Sequence, residues 1–379
     1  MKKLFISLLS ILLLISSCRP YASSVSEDPT ESISFVPEST KTVEPTTEPK
    51  NKIVLLDFAL SPDGTTLAVY LNTGIFLYDI ETLDYTAFEE FKSDEYYSQL
   101  NSLGEYYPSL SAPGAIAFSP DGNEIAISGK FQDELIRIYN WKTKTSLKVV
   151  ADYPNGNFVR ELEYSPDGST LLVRSTYPLS VLHCENTEDS LTLISLNPPS
   201  DFITKNLFEI PSCKYAPIEF HFTNSNHLFF VQVSESNKYW MYDIDTQTGN
   251  ILQFDEYDVN VNGTIYDFSQ SGKLVATREY SIEGQVNTKL LDLKTKNILL
   301  TIPGQVILLK DENRFLVYAS DNQLRLQEND NILCKFDGFE YLHMKVSRNT
   351  NVIAVITRNK SIQVWDIPSC KIINTIPLG

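Results

Sequence analysis

Histidine and cysteine are the side chains whose chemistry is easiest to read from spacing, and this chain has four His and five Cys. The histidines are His183, His221, His227 and His343. None of them pairs with another at metal-ligand spacing, and no Cys-His framework for zinc is present in the sequence. The sequence also contains no glycine-rich phosphate loop and no G-x-S-x-G elbow. We therefore expect no metal site, no cofactor and no enzymatic activity, and we interpret His221 and His227 as structural.

Carboxylates are the second group of side chains that could do chemistry. Five of them lie on short strand-like segments, where they alternate with apolar residues: Asp57, Glu161, Glu163, Glu219 and Asp267. If these segments surround one opening, the carboxylates could bind a cation or serve a hydrolase or lyase acting on a sugar or lactone. The same alternation is typical of solvated walls without a catalytic role, and we favour that interpretation.

The segment from Phe91 to Pro113 is rich in tyrosine and acidic residues. It carries four tyrosines: Tyr96, Tyr97, Tyr106 and Tyr107. Tyrosine offers a large contact area with a polar tip and is over-represented in binding patches. We predict that these four side chains bind a protein partner. The alternative is that they only pack this segment onto the rest of the domain.

The N-terminus has the pattern of an export signal. Lys2 and Lys3 precede a short apolar run, Leu4 to Ile15, which is too short to span a bilayer comfortably. The run ends in Ile-Ser-Ser-Cys, which resembles the bacterial lipobox, and the resemblance implies cleavage before Cys18 and acylation of its thiol. We therefore expect a signal peptide at 1–17 and a lipid anchor on Cys18. The alternative is an ordinary signal peptide followed by a chance cysteine.

The residues after Cys18 differ sharply in composition from the rest of the chain. Ser, Thr and Pro supply half of the 32 residues from Arg19 to Lys50, with six acidic residues among them. Such a stretch buries too little apolar surface to offset its ordering entropy. We predict that 18–51 is a disordered, lipid-bearing tether and that 52–379 is the folded domain. A short segment of the tether, Ile33 to Pro37, could instead form a strand on that domain.

One turn sequence is repeated along the folded domain. Ser-Pro-Asp-Gly occurs at Ser61–Gly64, Ser119–Gly122 and Ser165–Gly168, each time between two apolar runs. Proline and glycine provide the dihedral angles that a tight turn needs, and Ser and Asp can bond its backbone, so the phrase predicts a hairpin. Four degenerate copies follow, giving seven units at the spacing of four-stranded propeller blades. We place these units near 52–90, 114–150, 158–210, 217–255, 264–302, 305–337 and 341–378.

A second phrase follows each hairpin. It is a strand ending in Asp or Asn before a polar turn, seen at Asp79, Asn140, Asp243, Asp292 and Asp366. With the Trp365-Asp366 pair, this order resembles WD-repeat-like β-propellers, although no Gly-His dipeptide precedes any unit. The resemblance implies an all-β, seven-bladed β-propeller of four-stranded antiparallel blades over 52–379. It also implies an axial channel and one face that carries the long connections.

The remaining cysteines are assigned on that framework. Cys184 and Cys213 fall in long loops of the third unit, and because an exported domain tolerates disulfides we predict a bond between them. Cys334 and Cys370 are expected at equivalent points on the outer strands of adjacent blades, which diverge, so we expect both to be unpaired and buried. Ring closure could rest on packing between the first and last blades or on a strand from the tether.

Charge and composition limit the partners. The net charge is −17, and no basic stripe offsets it, so nucleic acid is excluded as a partner. We expect a lipid-anchored, extracytoplasmic domain of the cell envelope that acts as a protein-binding or assembly scaffold. The alternatives are the axial-channel hydrolase or lyase and a surface adhesin that recognises glycan or peptide.

Overall fold

The computed structural model describes a domain that is built almost entirely of β-strands. All described residues belong to one compact unit, Asn51–Gly379, and the preceding unit, Met1–Lys50, lies outside them. The described residues are 53–91, 114–131, 134–151, 158–176, 188–196, 204–211, 219–222, 227–233, 238–246, 248, 250–258, 264–269, 271–280, 285–319, 321, 323–338, 343–347 and 351–378.

Within the described ranges, twenty-eight strands form seven four-stranded antiparallel sheets, each made of four consecutive strands. Sheets 1 to 4 contain β1 (Leu55–Leu60), β2 (Thr66–Leu71), β3 (Gly74–Asp79), β4 (Tyr85–Phe88); β5 (Ile116–Phe118), β6 (Glu124–Phe131), β7 (Glu134–Asn140), β8 (Thr145–Ala151); β9 (Phe158–Tyr164), β10 (Thr170–Thr176), β11 (Glu188–Ser195), β12 (Thr204–Pro211); β13 (Glu219–Phe222), β14 (His227–Val233), β15 (Lys238–Asp245), β16 (Ile251–Asp258). Sheets 5 to 7 contain β17 (Thr264–Phe268), β18 (Leu274–Tyr280), β19 (Val286–Asp292), β20 (Ile298–Pro303); β21 (Gln305–Leu308), β22 (Arg314–Tyr318), β23 (Leu324–Glu328), β24 (Asn331–Lys335); β25 (His343–Val346), β26 (Val352–Ile356), β27 (Ser361–Asp366), β28 (Lys371–Pro377). The sheets follow the seven predicted units closely.

The second strands of the sheets are more deeply buried than the fourth strands, and their sequences are correspondingly more apolar. Second strands such as β2 and β26 are nearly continuous apolar runs, because both of their faces pack against neighbouring sheets. Fourth strands such as β20 and β28 keep only scattered buried residues. First strands of neighbouring sheets contact one another, for example β1 with β5 and β17 with β21. The first strands therefore lie innermost and the fourth strands outermost.

The repeated Ser-Pro-Asp-Gly turn has one geometry in all three copies. In the first, the Ser61 hydroxyl donates to Asp63 Oδ1 at 2.6 Å and accepts the Thr66 amide hydrogen at 2.9 Å. Gly64 has a φ of 71°, which only glycine adopts without strain. The same bonds recur at Ser119 and Ser165. The turn therefore forms from local interactions, as its sequence predicts.

The second repeated phrase also forms as predicted, with one correction. The carboxylate or amide of the last residue of the third strand accepts backbone N–H groups of the turn at Asp79, Asn140, Asp292 and Asp366. In sheet 4 the prediction of Asp243 was wrong, because β15 continues for two more residues. Asp245 accepts the Thr248 amide hydrogen there at 2.9 Å, and Asp243 instead contacts His227 at 3.0 Å.

Sheets 1 and 7 close the series by packing against each other. No strand is exchanged among the described sheets, since each contains four strands that are consecutive in sequence. Buried side chains of the two sheets form one cluster, with Phe58 and Val69 from sheet 1 and Ile356 and Val364 from sheet 7 among its members. The Asn374 amide also donates to the Ile80 carbonyl at 2.9 Å. Of the two expected modes of closure, the described residues provide packing between the first and last sheets.

Cys334 and Cys370 form a disulfide, so the expectation that both are unpaired was wrong. Their Cα atoms are 6.1 Å apart, and the bond joins sheet 6 to sheet 7. The two residues are not at equivalent positions. Cys334 lies on β24, whereas Cys370 lies in the turn before β28, with a φ of 53°. Because Cys370 lies in a turn, its side chain reaches Cys334 of the neighbouring sheet. Two residues at equivalent positions on diverging outer strands would lie too far apart.

Candidate functional site

The connections of the domain alternate between two ends of the sheets, because consecutive strands are antiparallel. We call the end with the first-to-second and third-to-fourth strand turns the compact-turn end. The opposite end, with the second-to-third strand and sheet-to-sheet connections, is the long-loop end. The two longest stretches between described elements, 92–115 and 177–187, both join strand ends at the long-loop end. A binding site is therefore expected at the long-loop end.

Several predicted site residues lie outside the described residues. These are Cys18, the tyrosines Tyr96, Tyr97, Tyr106 and Tyr107, and the cysteines Cys184 and Cys213. The segment with the tyrosines begins after Phe91 and ends before Gly114, both of which are described. The tyrosines and the proposed Cys184–Cys213 bond stay predictions.

Two of the predicted first-strand carboxylates hold neighbouring sheets together. Asp57 Oδ2 accepts the Ile116 amide hydrogen from sheet 2 at 3.0 Å. Asp267 Oδ2 accepts the Leu308 amide hydrogen from sheet 6 at 2.9 Å. In both cases the carboxylate follows an irregularity in the pairing of the first and second strands. Both carboxylates therefore bind a backbone amide of the neighbouring sheet.

Asp57 also makes a charged contact between sheets 1 and 7. Its Oδ1 lies 2.7 Å from the Lys345 ammonium nitrogen, and the side chains are 13% and 33% exposed respectively. The Lys345 ammonium also lies 5.7 Å from the centre of the Phe58 ring. An ion pair that is partly removed from water is screened less than a surface pair. It therefore contributes to closure as well as to the charge of the site.

Glu161 differs from Asp57 although it follows a similar irregularity in its own sheet. Its carboxylate lies 3.6 Å from Arg174, and 49% of its side chain is exposed. The surrounding protein raises the pKa of Glu161 by disfavouring its charged form, while Arg174 and Lys345 act in the opposite direction. Because half of the side chain is accessible, water moderates this rise. Glu161 is therefore an accessible carboxylate among the innermost strands.

His343 and Lys345 belong to the same charged group, and the sequence analysis did not select them as site residues. His343 packs edge-on against Phe58, with ring centres 5.7 Å apart. Burial, together with the charge of Lys345, lowers the pKa of His343, so its imidazole is neutral near pH 7. The sequence contains a signal from which the position of His343 could have been predicted. His343 precedes Ser347 by the same interval at which Asp57 precedes Ser61 in the repeated phrase.

An aromatic and cationic group lies at the long-loop end of sheet 5. Tyr280 ends β18 there and is 59% exposed. The Arg278 guanidinium carbon lies 5.3 Å from the centre of the Tyr280 ring and 5.6 Å from that of Tyr266. Lys289 pairs with Glu279 beside them at 2.8 Å. Arginine stacked on tyrosine is a common element of binding surfaces, and the sequence analysis missed it.

The described residues do not form a recognisable metal site. Within them, no three side chains of His, Cys, Asp or Glu converge as a metal ion would require. In the same part of the chain, no helix has the length and apolar character needed to cross a membrane. The site thus consists of an inner charged group, Asp57, Glu161, His343 and Lys345, and an exposed aromatic group at the long-loop end. This arrangement suits binding through charge and aromatic contact.

Comparison with known proteins defines the fold. No protein-family model matches the chain, and neither does any curated protein. Hsv2 of Kluyveromyces lactis is similar in structure, with a TM-score of 0.53 and 12% identity over 86% of this chain and 100% of that one. The Cps50 (Swd1) β-propeller domain of Myceliophteria thermophila has a TM-score of 0.51 and 13% identity over 84% and 99%. Hydrazine synthase of Kuenenia stuttgartiensis has a TM-score of 0.51 and 13% identity over 89% and 99%.

These similarities show a β-propeller fold of the WD-repeat-like type. At such identities they show the fold alone, and the similar proteins have different names, such as hydrazine synthase and Cps50 (Swd1). Function must therefore come from the residues of this chain.

Proposed function

We propose that this chain is a lipid-anchored, extracytoplasmic, seven-bladed β-propeller that binds a protein partner through its long-loop end. The observation that carries the proposal is the difference between the two ends of the sheets. One end is occupied by short turns whose polar groups already bond one another. The other has the longest connections, including the segment with four tyrosines, and the exposed Tyr280 with Arg278.

Two features support the proposed location. The Ile-Ser-Ser-Cys sequence ending at Cys18 matches the pattern of an acylated, exported chain. The Cys334–Cys370 disulfide is the kind of bond that persists in oxidising compartments and is rare in reducing ones. A diffusible nucleic-acid partner is not part of the proposal, because the net charge of −17 repels phosphate backbones.

Binding rather than catalysis is proposed because the inner carboxylates that are described have other partners. Asp57 and Asp267 each accept a backbone N–H of the next sheet, and Asp57 also pairs with Lys345. Glu161 is accessible, but its nearest charged group is Arg174. A general acid or base must lie within hydrogen-bond reach of the substrate atom to which it gives, or from which it takes, a proton. Contact surfaces need only complementary shape and charge.

The test is crosslinking of the intact lipoprotein in its native membranes, followed by identification of the captured protein. One variant carries Tyr96→Ala, Tyr97→Ala, Tyr106→Ala and Tyr107→Ala. The matched control is Tyr85→Ala, which changes a tyrosine that is 60% exposed but lies at the start of β4, at the compact-turn end. We expect one stoichiometric partner for the wild type and the control, and a loss of capture of about tenfold or more for the quadruple variant.

Capture that is unchanged in the quadruple variant and also in a Tyr280→Ala variant would place the interface elsewhere and contradict the proposal. Loss of capture by the Tyr85→Ala control as well would show that the effect is not specific to the long-loop end. Circular dichroism of every variant checks that the fold is retained.

A further inference from the structure

Three neighbouring outer strands expose pairs of aliphatic side chains. The pairs lie within the first three residues of β20, β24 and β28, the fourth strands of sheets 5, 6 and 7. They are Ile298 and Leu299, Ile332 and Leu333, and Ile372 and Ile373. Their side chains are 36% to 58% exposed. Single exposed aliphatic residues are ordinary, but three consecutive pairs form a patch, which we call the outer-strand stripe.

The three pairs occupy the same place in the fold. The first residue of each pairs with the third strand just before a register shift, as Ile298 does with Leu291, Ile332 with Gln327 and Ile372 with Trp365. The second residue of each pair is the extra residue at that shift. All three therefore lie at the compact-turn end of the outer strands, at one height around the rim.

The equivalent positions of sheets 1 and 2 differ from the stripe. Tyr85 pairs with Tyr78 and is followed by Thr86, and Ser146 pairs with Tyr139 in sheet 2. Tyr85 also stacks on its own sheet, 5.3 Å from the Tyr78 ring and 5.8 Å from the Phe76 ring. Among the outer strands whose side chains are described at these positions, sheets 5, 6 and 7 thus expose an aliphatic pair and sheet 1 does not. In sheet 4 the same register positions are held by Ile251 and Leu252.

Lysines flank every pair of the stripe. Lys296, Lys335 and Lys371 lie within two residues of an aliphatic pair, and all three are exposed. Of the acidic residues of the adjoining turns, Asp292 bonds to Thr295 and Asp366 to Ser369, whereas Asp330 is exposed two residues before Ile332. The stripe therefore combines apolar surface with exposed lysines in a chain whose net charge is −17.

We propose that the outer-strand stripe seats the domain on the surface of a lipid bilayer. This inference rests on the proposed lipid anchor, which keeps the domain next to a membrane and makes a weak contact sufficient. Aliphatic side chains enter the boundary between headgroups and acyl chains, and flanking lysines reach anionic headgroups. Six partly exposed side chains on a convex rim are few compared with the roughly 20–30 residues per side of a stable protein interface.

The predicted tether is long enough for this seating. β1 begins at the long-loop end with Leu55, whereas the stripe lies at the opposite end. The six residues of β1 span about 20 Å, at about 3.3 Å per residue. A tether over 18–51 has a typical reach of roughly 30 Å. The compact-turn edge can therefore rest on the bilayer while the long-loop end points away from it, towards the proposed partner.

The experiment uses the lipidated protein reconstituted in vesicles of phosphatidylethanolamine and phosphatidylglycerol. A photoreactive probe that partitions into the acyl region labels whatever enters it, and peptide mapping locates the label. We expect label on the peptides that contain the three aliphatic pairs and none on the peptide with Tyr85. A variant with all six stripe residues changed to Thr, which strands accommodate well, should still float with the vesicles but lose the label.

A second comparison separates the stripe from the anchor. The chain from residue 18 with Cys18→Ser should bind the same vesicles weakly, and the six Thr changes should weaken that binding about tenfold or more. Lys296→Gln, Lys335→Gln and Lys371→Gln together should reduce binding only to vesicles that contain phosphatidylglycerol. Tyr85→Thr is the matched control and should change nothing.

The outcomes distinguish the two proposals. Flotation of lipidated protein without label at the stripe overturns the seating and leaves the anchor in place. Flotation of the Cys18→Ser chain equal to that of the wild type overturns the anchor, and the effect of the six Thr changes then decides the seating. Sedimentation that shows a Cys18→Ser dimer which the six Thr changes dissociate would assign the stripe to a second copy instead.

Discussion

The compact-turn end of the first three sheets repeats the same hydrogen bonds, whereas the ion pairs of the inner charged group differ from one sheet to the next. At the compact-turn end, Ser61, Ser119 and Ser165 each donate to an aspartate two residues later at 2.6 Å. In the inner charged group, Asp57 pairs with Lys345 and Glu161 with Arg174. The repeated turn bonds specify the fold. The ion pairs that occur in single sheets are not needed for that repeat, so they can serve a function.

The difference also separates two kinds of interaction. A turn bond joins residues two to five positions apart, so it forms with little loss of chain entropy. The Asp57–Lys345 pair joins the first sheet to the last, so it forms only when the domain has closed. Four predictions, from the largest expected effect to the smallest, test how local turn bonds and contacts between distant sheets contribute to stability.

The largest effect is expected from the disulfide, which ties the last sheet to the one before it. Changing both Cys334 and Cys370 to Ser releases a crosslink with a sequence separation of 36. The chain-entropy model gives a loss of about 4 kcal/mol in the free energy of unfolding, as an upper figure. Urea denaturation with and without reductant measures it. Reductant should lower the stability of the wild type by more than it lowers that of the double variant, which retains Cys184 and Cys213. An equal effect of reductant on the two proteins would contradict the assigned role of the Cys334–Cys370 bond.

Asp57→Ala is expected to be next in size. It removes the carboxylate that both accepts the Ile116 amide hydrogen and pairs with Lys345. Leaving these two groups without that partner should cost about 3 kcal/mol. Urea denaturation of Asp57→Ala, Lys345→Ala and the double variant gives the coupling between them. A coupling of about 1 kcal/mol or more is expected, and a coupling near zero would show that the ion pair does not help closure.

Ser165→Ala tests the compact-turn end with a smaller change. Ser165 is fully buried, and its hydroxyl accepts the Thr170 amide hydrogen at 2.9 Å. Removing the hydroxyl should cost about 2 kcal/mol, because that amide loses its partner. Ser146→Ala, at an exposed position on β8, is the control and should be nearly neutral. Equal stability of the two variants in thermal denaturation would show that the repeated bond is dispensable.

The smallest effect concerns pH, and its sign differs between a carboxylate of the compact-turn end and one of the inner charged group. The Ser119 hydroxyl lowers the pKa of Asp121 below its ordinary 3.8, so this carboxylate favours folding above that value and its contribution is lost on acidification. Folding raises the pKa of Glu161 above its ordinary 4.5 by limiting its solvation. Its contribution is therefore favourable below 4.5 and is lost as pH rises through the raised pKa.

Glu161→Gln should accordingly raise the unfolding temperature slightly at neutral pH and have no effect near about pH 4. Asp121→Asn should lower the unfolding temperature at neutral pH. Thermal scans between about pH 4 and about pH 8 follow both variants. A Glu161→Gln variant that is less stable than the wild type at neutral pH would mean that Arg174 outweighs the limited solvation.

Much of the fold was predictable because its signals are local. The three Ser-Pro-Asp-Gly turns, their degenerate copies and the Asp or Asn turns marked out seven units, and seven four-stranded sheets follow them. The error at Asp243 has a local cause as well. The third strand of sheet 4 is two residues longer than the pattern suggests, and Asp245 takes the turn.

The site was less predictable for a physical reason. Asp57 and Glu161 were predictable from their alternation with apolar residues, but that alternation does not show which carboxylate binds the backbone of the next sheet. His343 and Lys345 were not predicted, because their contacts depend on other strands. Arg278 and Tyr280 were also not predicted, although they lie two residues apart on β18. The prediction for Cys334 and Cys370 failed in the same way, since it assumed equivalent positions on diverging strands.

By itself, the sequence determined the turns, the strands between them and the order of the sheets, since each depends on residues only a few positions apart. It also contains the linear pattern from which export and a lipid anchor on Cys18 are predicted. Only the tertiary structure decided that Cys370 reaches Cys334, that Lys345 meets Asp57 and that three aliphatic pairs align along one rim. Those contacts join distant parts of the chain, and they exist only because the sheets pack side by side.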